Sequence, residues 1–314
     1  MKRMSKWLAL GVAAVMSVSM LAGCGSSASS SSAAETKAEE KTEAAAASDD
    51  TTAAEEKTEA AAEEYPEDVQ AIIDRGVLKV GVKNAVIGFG YQDPLTNEYS
   101  GLEIELAKKL AEHLGVDVEF TAVTAATRTE LLDSGDIDCV LATFTITDER
   151  KKSWDFTTPY YTDHVTVLVE DKSGIKSLSD LVGKTVGVSS GSTSAKSLVS
   201  AMIDNKVLTG DGFDKDTFDP ATWTDGVSFR QYEDYPSIST ALSAGEVDAF
   251  CVDKSILAVY HTEGRSYIEE EFAPQDYGIA TKKDSGLSAV CEELVQQWLS
   301  DGTIEGLIKD NNLN

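Results

Sequence analysis

Basic residues are scarce in this chain: 27 Lys and Arg stand against 54 Asp and Glu over 314 residues, a net charge of −27. Such a surplus repels polyanions, so it excludes nucleic acid as a partner and favours solubility outside the cell. It says nothing about the charge of a small ligand, which local groups decide. Cysteine is nearly absent. Apart from Cys24 there are Cys139, Cys251 and Cys291, an odd set that implies no disulfide framework. Cys139 and Cys251 fall in apolar strand-like runs, and Cys291 shares a helical face with Leu287, Leu294, Val295 and Trp298, so small buried hydrophobes are expected. No Cys-x-x-Cys pair exists and the histidines, His113, His164 and His261, are scattered. Neither a metal-ligand cluster nor a cofactor is implied.

A long hydrophobic span is also missing. The apolar run from Trp7 to Ala22 is too short to cross a bilayer with confidence. Lys2, Arg3 and Lys6 precede it, and Leu21-Ala22-Gly23-Cys24 follows in the form of a bacterial lipoprotein cleavage site. The expectation is a signal peptide over 1–23 and a lipid-modified Cys24 that tethers the chain outside the cytoplasmic membrane. From Gly25 to Glu64 the chain is almost only Ser, Ala, Glu, Thr, Lys and Asp, with no aromatic residue. It cannot bury a core, so residues 24–64 read as the lipidated cysteine and a flexible stalk.

What remains is about 250 residues of alternating strand and helix patterns, enough for two α/β lobes. Strands are expected at Val77–Val82, Val118–Val123, Ile137–Ala142, His164–Glu170, Thr185–Val188 and Val247–Val252, with a crossing segment at Gly278–Thr281. Helices are expected at Leu102–His113, Arg128–Leu132, Ser194–Asp204, Ile238–Leu242 and Leu287–Leu299. The segment Leu132-Asp133-Ser134-Gly135-Asp136-Ile137-Asp138 is echoed by Leu242-Ser243-Ala244-Gly245-Glu246-Val247-Asp248. Five residues beyond each final Asp stand Thr143 and Asp253, at the carboxyl ends of the two strands, where open α/β sheets bind ligands. The stretch from Val207 to Val227, rich in Asp, Gly, Thr and Pro, reads as a surface loop.

The richest motif is Ala142 to Tyr161, ATFTITDERKKSWDFTTPYY. A strand end delivers Thr143 and Thr145, and Thr147-Asp148-Glu149 offers an N-cap and acidic first turn ahead of Arg150. Arg150 reads either as a bidentate anchor for a carboxylate or as one member of a solvated charged turn. Asp253 reads as an anion facing a ligand or as the N-cap of the helix that opens with Asp253-Lys254-Ser255. Ser189-Ser190-Gly191-Ser192-Thr193 places hydroxyls and backbone N–H groups at a helix N-terminus, a place that anions favour, yet it is also ordinary loop chemistry and lacks a P-loop lysine. Lys83 after the first strand and Arg128 in Ala126-Thr127-Arg128 are two further cations, open to a surface reading. Phe89 and Tyr91 read as mouth or core aromatics.

The run T-x-T-I-T-x-E-R-K followed by DF, a Thr pair and PYY resembles the polar amino-acid solute-binding proteins of ABC importers (family 3 type). SGLEIELAKKLAEHLG, SLSDLVGKTVGVSSGS, GEVDAFCVDKSIL and DYGIATKK extend the resemblance from about Leu78 to Ile308. GVKN, GFGYQDPLTNEYSGLE and VTAATR are similar to the glutamate/aspartate-binding branch. The resemblance implies a two-lobed periplasmic-binding-protein-like (type II) α/β fold with a two-stranded hinge. One lobe would take 65–163 plus 282–314 and the other 164–281. It implies a binding component that delivers an acidic L-amino acid to a membrane permease, as a monomer. Arg150 with backbone near Thr145 would hold the α-carboxylate, Asp253 the ammonium, and Gly191, Ser192 and Thr193 would form the ligand loop. Lys83 and Arg128 would read the side-chain carboxylate. The alternatives are glutamine, asparagine or cystine as ligand, a dehydratase on the same fold, or a sensory domain. Nothing in the cleft positions supplies the histidine or paired serine that acid–base chemistry would use.

Overall fold

The computed structural model describes residues 65–313; the expected signal peptide, Cys24 and the stalk lie outside them. The chain enters through α1 (Glu67–Arg75), β1 (Val77–Val82), the short strands β2 (Ala85–Val86), β3 (Gly90–Gln92) and β4 (Tyr99–Ser100), and α2 (Leu102–Leu114). Then follow β5 (Asp117–Ala122), α3 (Thr127–Ser134), β6 (Cys139–Leu141) and β7 (Trp154–Phe156). The apolar spacing of α2 buries Leu102, Leu106 and Leu110, and Gly115 ends it in the left-handed conformation expected of a helix stop.

From β8 (Tyr161–Glu170) the chain builds a second sheet with β9 (Lys184–Ser189), α4 (Ser194–Asp204), β10 (Val227–Tyr232), α5 (Tyr235–Ala244), β11 (Ala249–Asp253), α6 (Lys254–Leu257), β12 (Arg265–Tyr267) and β13 (Phe272–Tyr277). It returns through β14 (Ala280–Lys282) to α7 (Gly286–Ser300) and α8 (Thr303–Asp310). The first sheet runs β5-β1-β6-β14-β7, and the second β10-β9-β11-β8-β12 with β13 also on β8. In the first, β1 is parallel to β5 and β6; in the second, β9 is parallel to β10 and β11. This is the two-lobed type II arrangement.

Two expectations need correction. The chain crosses back earlier than Gly278, because β13 already pairs antiparallel with Tyr161–Val165 of β8, which itself begins before His164. The turn at Arg150 is a single 3-10 turn, Arg150–Lys152, because β7 starts at Trp154 and leaves no room for an α-helix. Phe89 is fully buried and packs edge-on against Tyr161 and Tyr277, so it belongs to the core. Cys139, Cys251 and Cys291 are free and buried, as expected. Among the described residues, no helix is long and apolar enough to cross a membrane.

Candidate ligand-binding site

The carboxyl ends of the parallel strands converge. Lys83 follows β1, Ala125 and Arg128 follow β5, Thr143 and Thr145 follow β6, Gly191 to Thr193 follow β9, and Asp253 closes β11. A cavity of only about 10 Å³ is lined by Ala125, Arg128, Thr143, Thr145, Ser192, Thr193, Ser194, Tyr235, Val252 and Asp253. That is about the room of one water, so the two lobes are closed tightly on this lining. Arg150 does not line this cavity. It lines a neighbouring groove of about 540 Å³ that runs out past Phe144, Trp154 and Phe218 and shares Ala125, Ser192 and Thr193 with the inner cavity.

The cations are buried rather than surface groups: Arg128 is 3% and Lys83 4% exposed. Arg128 donates through Nη1 to the carbonyls of Ala142 at 2.8 Å and Thr143 at 3.1 Å. Its guanidinium lies 3.9 Å from the centre of the Phe144 ring. Arg150 is half-buried and reaches across the cleft, donating to Thr145 O at 2.7 Å and Gly191 O at 3.1 Å. The Lys83 ammonium stands 5.4 Å from the Tyr235 ring of the opposite lobe. Burial, and then the charge of Arg128, lower the pKa of Arg150 to about 9 and hold Lys83 well below its ordinary value.

Asp253, 5% exposed, occupies the N-cap position of α6 yet makes no capping hydrogen bond; it accepts instead from the Tyr277 hydroxyl. Its side chain is thus withheld from helix capping. Burial and the nearby Asp163 push its pKa up to about 7. Asp163 is itself engaged by Ser255 and the His164 N–H. The hydroxyls of the β9–α4 loop are less free than its composition suggests. Ser192 Oγ donates to Ser189 O at 2.7 Å, and Thr193 and Thr145 both donate to Gln275 Oε1, at 2.7 and 2.8 Å.

Residue patterning missed Glu103, which is fully buried in the first turn of α2. Its Oε1 accepts from Thr143 N and from the Tyr160 hydroxyl, each at 2.6 Å. Burial raises its pKa. The acceptor pins Thr143 at φ 45°, a region costly for a β-branched residue. Two buried polar atoms around this turn, Glu103 Oε2 and Arg128 Nε, have no hydrogen-bond partner.

A buried cleft of mixed charge between two α/β lobes is the setting in which the comparisons fall. Residues 78–311 match the model of the bacterial extracellular solute-binding proteins, family 3. The chain belongs to that family. It is 32% identical over 256 residues to the ABC transporter glutamine-binding protein GlnH of Bacillus subtilis, covering 79% of this chain and 85% of the relative. It is 30% identical over 260 residues to the glutamate-binding protein GluB of Corynebacterium glutamicum, covering 77% and 80%. Among solved structures, the ancestral amino acid-binding protein AncCDT-1, a precursor of cyclohexadienyl dehydratase, superposes with a TM-score of 0.63 at 29% identity, covering 77% of this chain and 98% of that one. This solute-binding protein is therefore the substrate-binding component of an amino-acid ABC importer, acting outside the cytoplasm and handing its ligand to a permease. The relatives are named as binding proteins, which supports a role without chemistry.

Proposed function

We propose that this solute-binding protein takes up an acidic L-amino acid, glutamate or aspartate, between its lobes. The observation that carries the reading is a buried donor without an acceptor, Arg128 Nε–H, on a residue that lines the same small cavity as Asp253. Buried donors without partners cost free energy until an acceptor arrives, and a side-chain carboxylate supplies two oxygens. The neighbouring cations support the same ligand. Lys83 and Arg150 stand close enough to Arg128 to lower one another's pKa, so a side-chain carboxylate among the three is favoured over an amide, and a cationic side chain is opposed. Asp253 holds the ammonium in this reading, and Arg150, with backbone N–H groups of the Gly191 to Thr193 loop and of Thr145, holds the α-carboxylate from the groove side. Glutamine is the second reading, favoured by the likeness to GlnH, and asparagine and cystine belong with it.

Calorimetric titration of refolded, ligand-stripped protein against glutamate, aspartate, glutamine, asparagine, cystine and arginine tests this. The expected result is at least tenfold preference for an acidic ligand, with Arg128→Gln costing that ligand about 1.5–3 kcal/mol and glutamine far less. A preference for a neutral or cationic amino acid overturns the acidic reading and leaves the family intact. We further propose that the mature chain begins at lipid-modified Cys24 and works as a monomer; an unmodified amino terminus in mass spectra of membrane fractions would refute the anchor.

A further inference from the structure

We propose that Phe144 is a specificity-determining residue: its ring is the platform against which both the Arg128 and the Arg150 guanidinium are held for an anionic ligand. The proposal rests on the acidic-ligand reading and assigns the selectivity to a side chain that cannot hydrogen-bond to anything. Phe144 is buried, and the Arg128 and Arg150 guanidinium carbons lie over its ring at 3.9 and 4.6 Å from the centre. The ring also packs against Phe156 in a T-shaped pair at 5.0 Å and against Trp154 at 6.2 Å.

The backbone completes the device. Arg128 is tied to the carbonyls of residues 142 and 143, just before Phe144, and Arg150 to the carbonyl of residue 145, just after it. Those carbonyls are presented by a turn in which Thr143 sits at positive φ, fixed by its hydrogen bond to buried Glu103. Two like charges brought this close repel, and three forces oppose the repulsion: the carbonyl dipoles, the negative face of the ring, and the ligand's carboxylates. Cation–π attraction is strongest where water is excluded, as it is at Arg128. Removing the ring's quadrupole therefore loosens both arginines without deleting either. Glutamine would lose only through Arg150 and the α-carboxylate, whereas glutamate would lose through both arginines.

The test replaces Phe144 with mono-, di- and trifluorinated phenylalanine, which drain the negative face stepwise at nearly constant shape. Affinities for L-glutamate and L-glutamine are measured by calorimetry on each full-length variant. The expected result is a stepwise fall in the glutamate-to-glutamine affinity ratio, reaching about tenfold at the third fluorine, with an unchanged melting temperature. Phe144→Leu should lower the ratio as well, and if that variant fails to fold, the fluorinated series still decides. A ratio unmoved across the series, whether both affinities hold or both fall in parallel, overturns the proposal alone. An unmodified protein with no preference for glutamate overturns the acidic-ligand reading and this proposal with it.

Discussion

At Asp253, burial, the Asp163 carboxylate beyond Tyr277 and the cations Arg128 and Arg150 act on one group, and burial with Asp163 wins, leaving a pKa of about 7. A carboxyl raised above its unfolded value stabilises the fold below about pH 4, and that contribution is lost as pH climbs through about 7. Ligand-free Asp253→Asn should therefore melt higher than wild type at pH 8 and alongside it at pH 4. Binding needs the opposite protonation state, since an ammonium requires the ionised carboxylate. Below pH 7 wild-type affinity should fall by up to about tenfold per pH unit, and calorimetry at pH 6 in buffers of different ionisation enthalpy should detect proton release on binding. Absence of any released proton sinks the ammonium assignment. At this scale the sequence was informative about position: Arg150 after a strand end and Asp253 after its echoed unit both reach the cleft. Glu103 was hidden because an acid in a helix's first turn is commonplace, and Tyr277 because nothing in its own strand betrays a partner 24 residues away.

The β9–α4 loop shows how an element closes the cleft. Gly191 has φ 74°, and a Cβ there would stand 2.7 Å from Ala125 O and 2.9 Å from Ala126 Cα, both in the opposite lobe. No backbone atom yields such room cheaply. Gly191→Ala should hold the lobes apart, weaken every amino acid by about tenfold or more and leave the specificity order intact, while the positive φ lowers ligand-free melting by a few degrees. Unchanged affinity would show that the loop approaches less closely in solution. The loop itself was legible from Ser-Ser-Gly-Ser-Thr, but not the engagement of its hydroxyls by Gln275, which comes from a crossing strand 82 residues further on from Thr193. Likewise the stretch after Val207 read as plain loop, because Phe213, Phe218, Trp223 and Phe229 are spaced without helical or strand period. They nevertheless form one aromatic cluster, with neighbouring rings 5.5 to 6.2 Å apart.

For the whole molecule, the lobe contacts differ in kind and so in worth. Lys196 pairs with Glu149 across the cleft at 3.0 Å, but both are substantially exposed, and such pairs contribute about 0–1 kcal/mol. The buried charges weigh more. Closure brings Lys83 against Tyr235 of the other lobe, near Arg128 and Arg150, with no ligand anion to compensate. The ligand-free protein should therefore favour an open state, and an amino acid should close it by differential affinity for the closed one. Lys83→Met removes a charge that burial and Arg128 both oppose, so it should shift the ligand-free protein towards closure while weakening acidic ligands more than glutamine. Small-angle scattering with and without saturating L-glutamate measures this: wild type should contract on binding, and Lys83→Met should start more compact and contract less. A variant as open as wild type before ligand would mean that the closing equilibrium is set by the hinge strands β8 and β13, not by the charges they bring together.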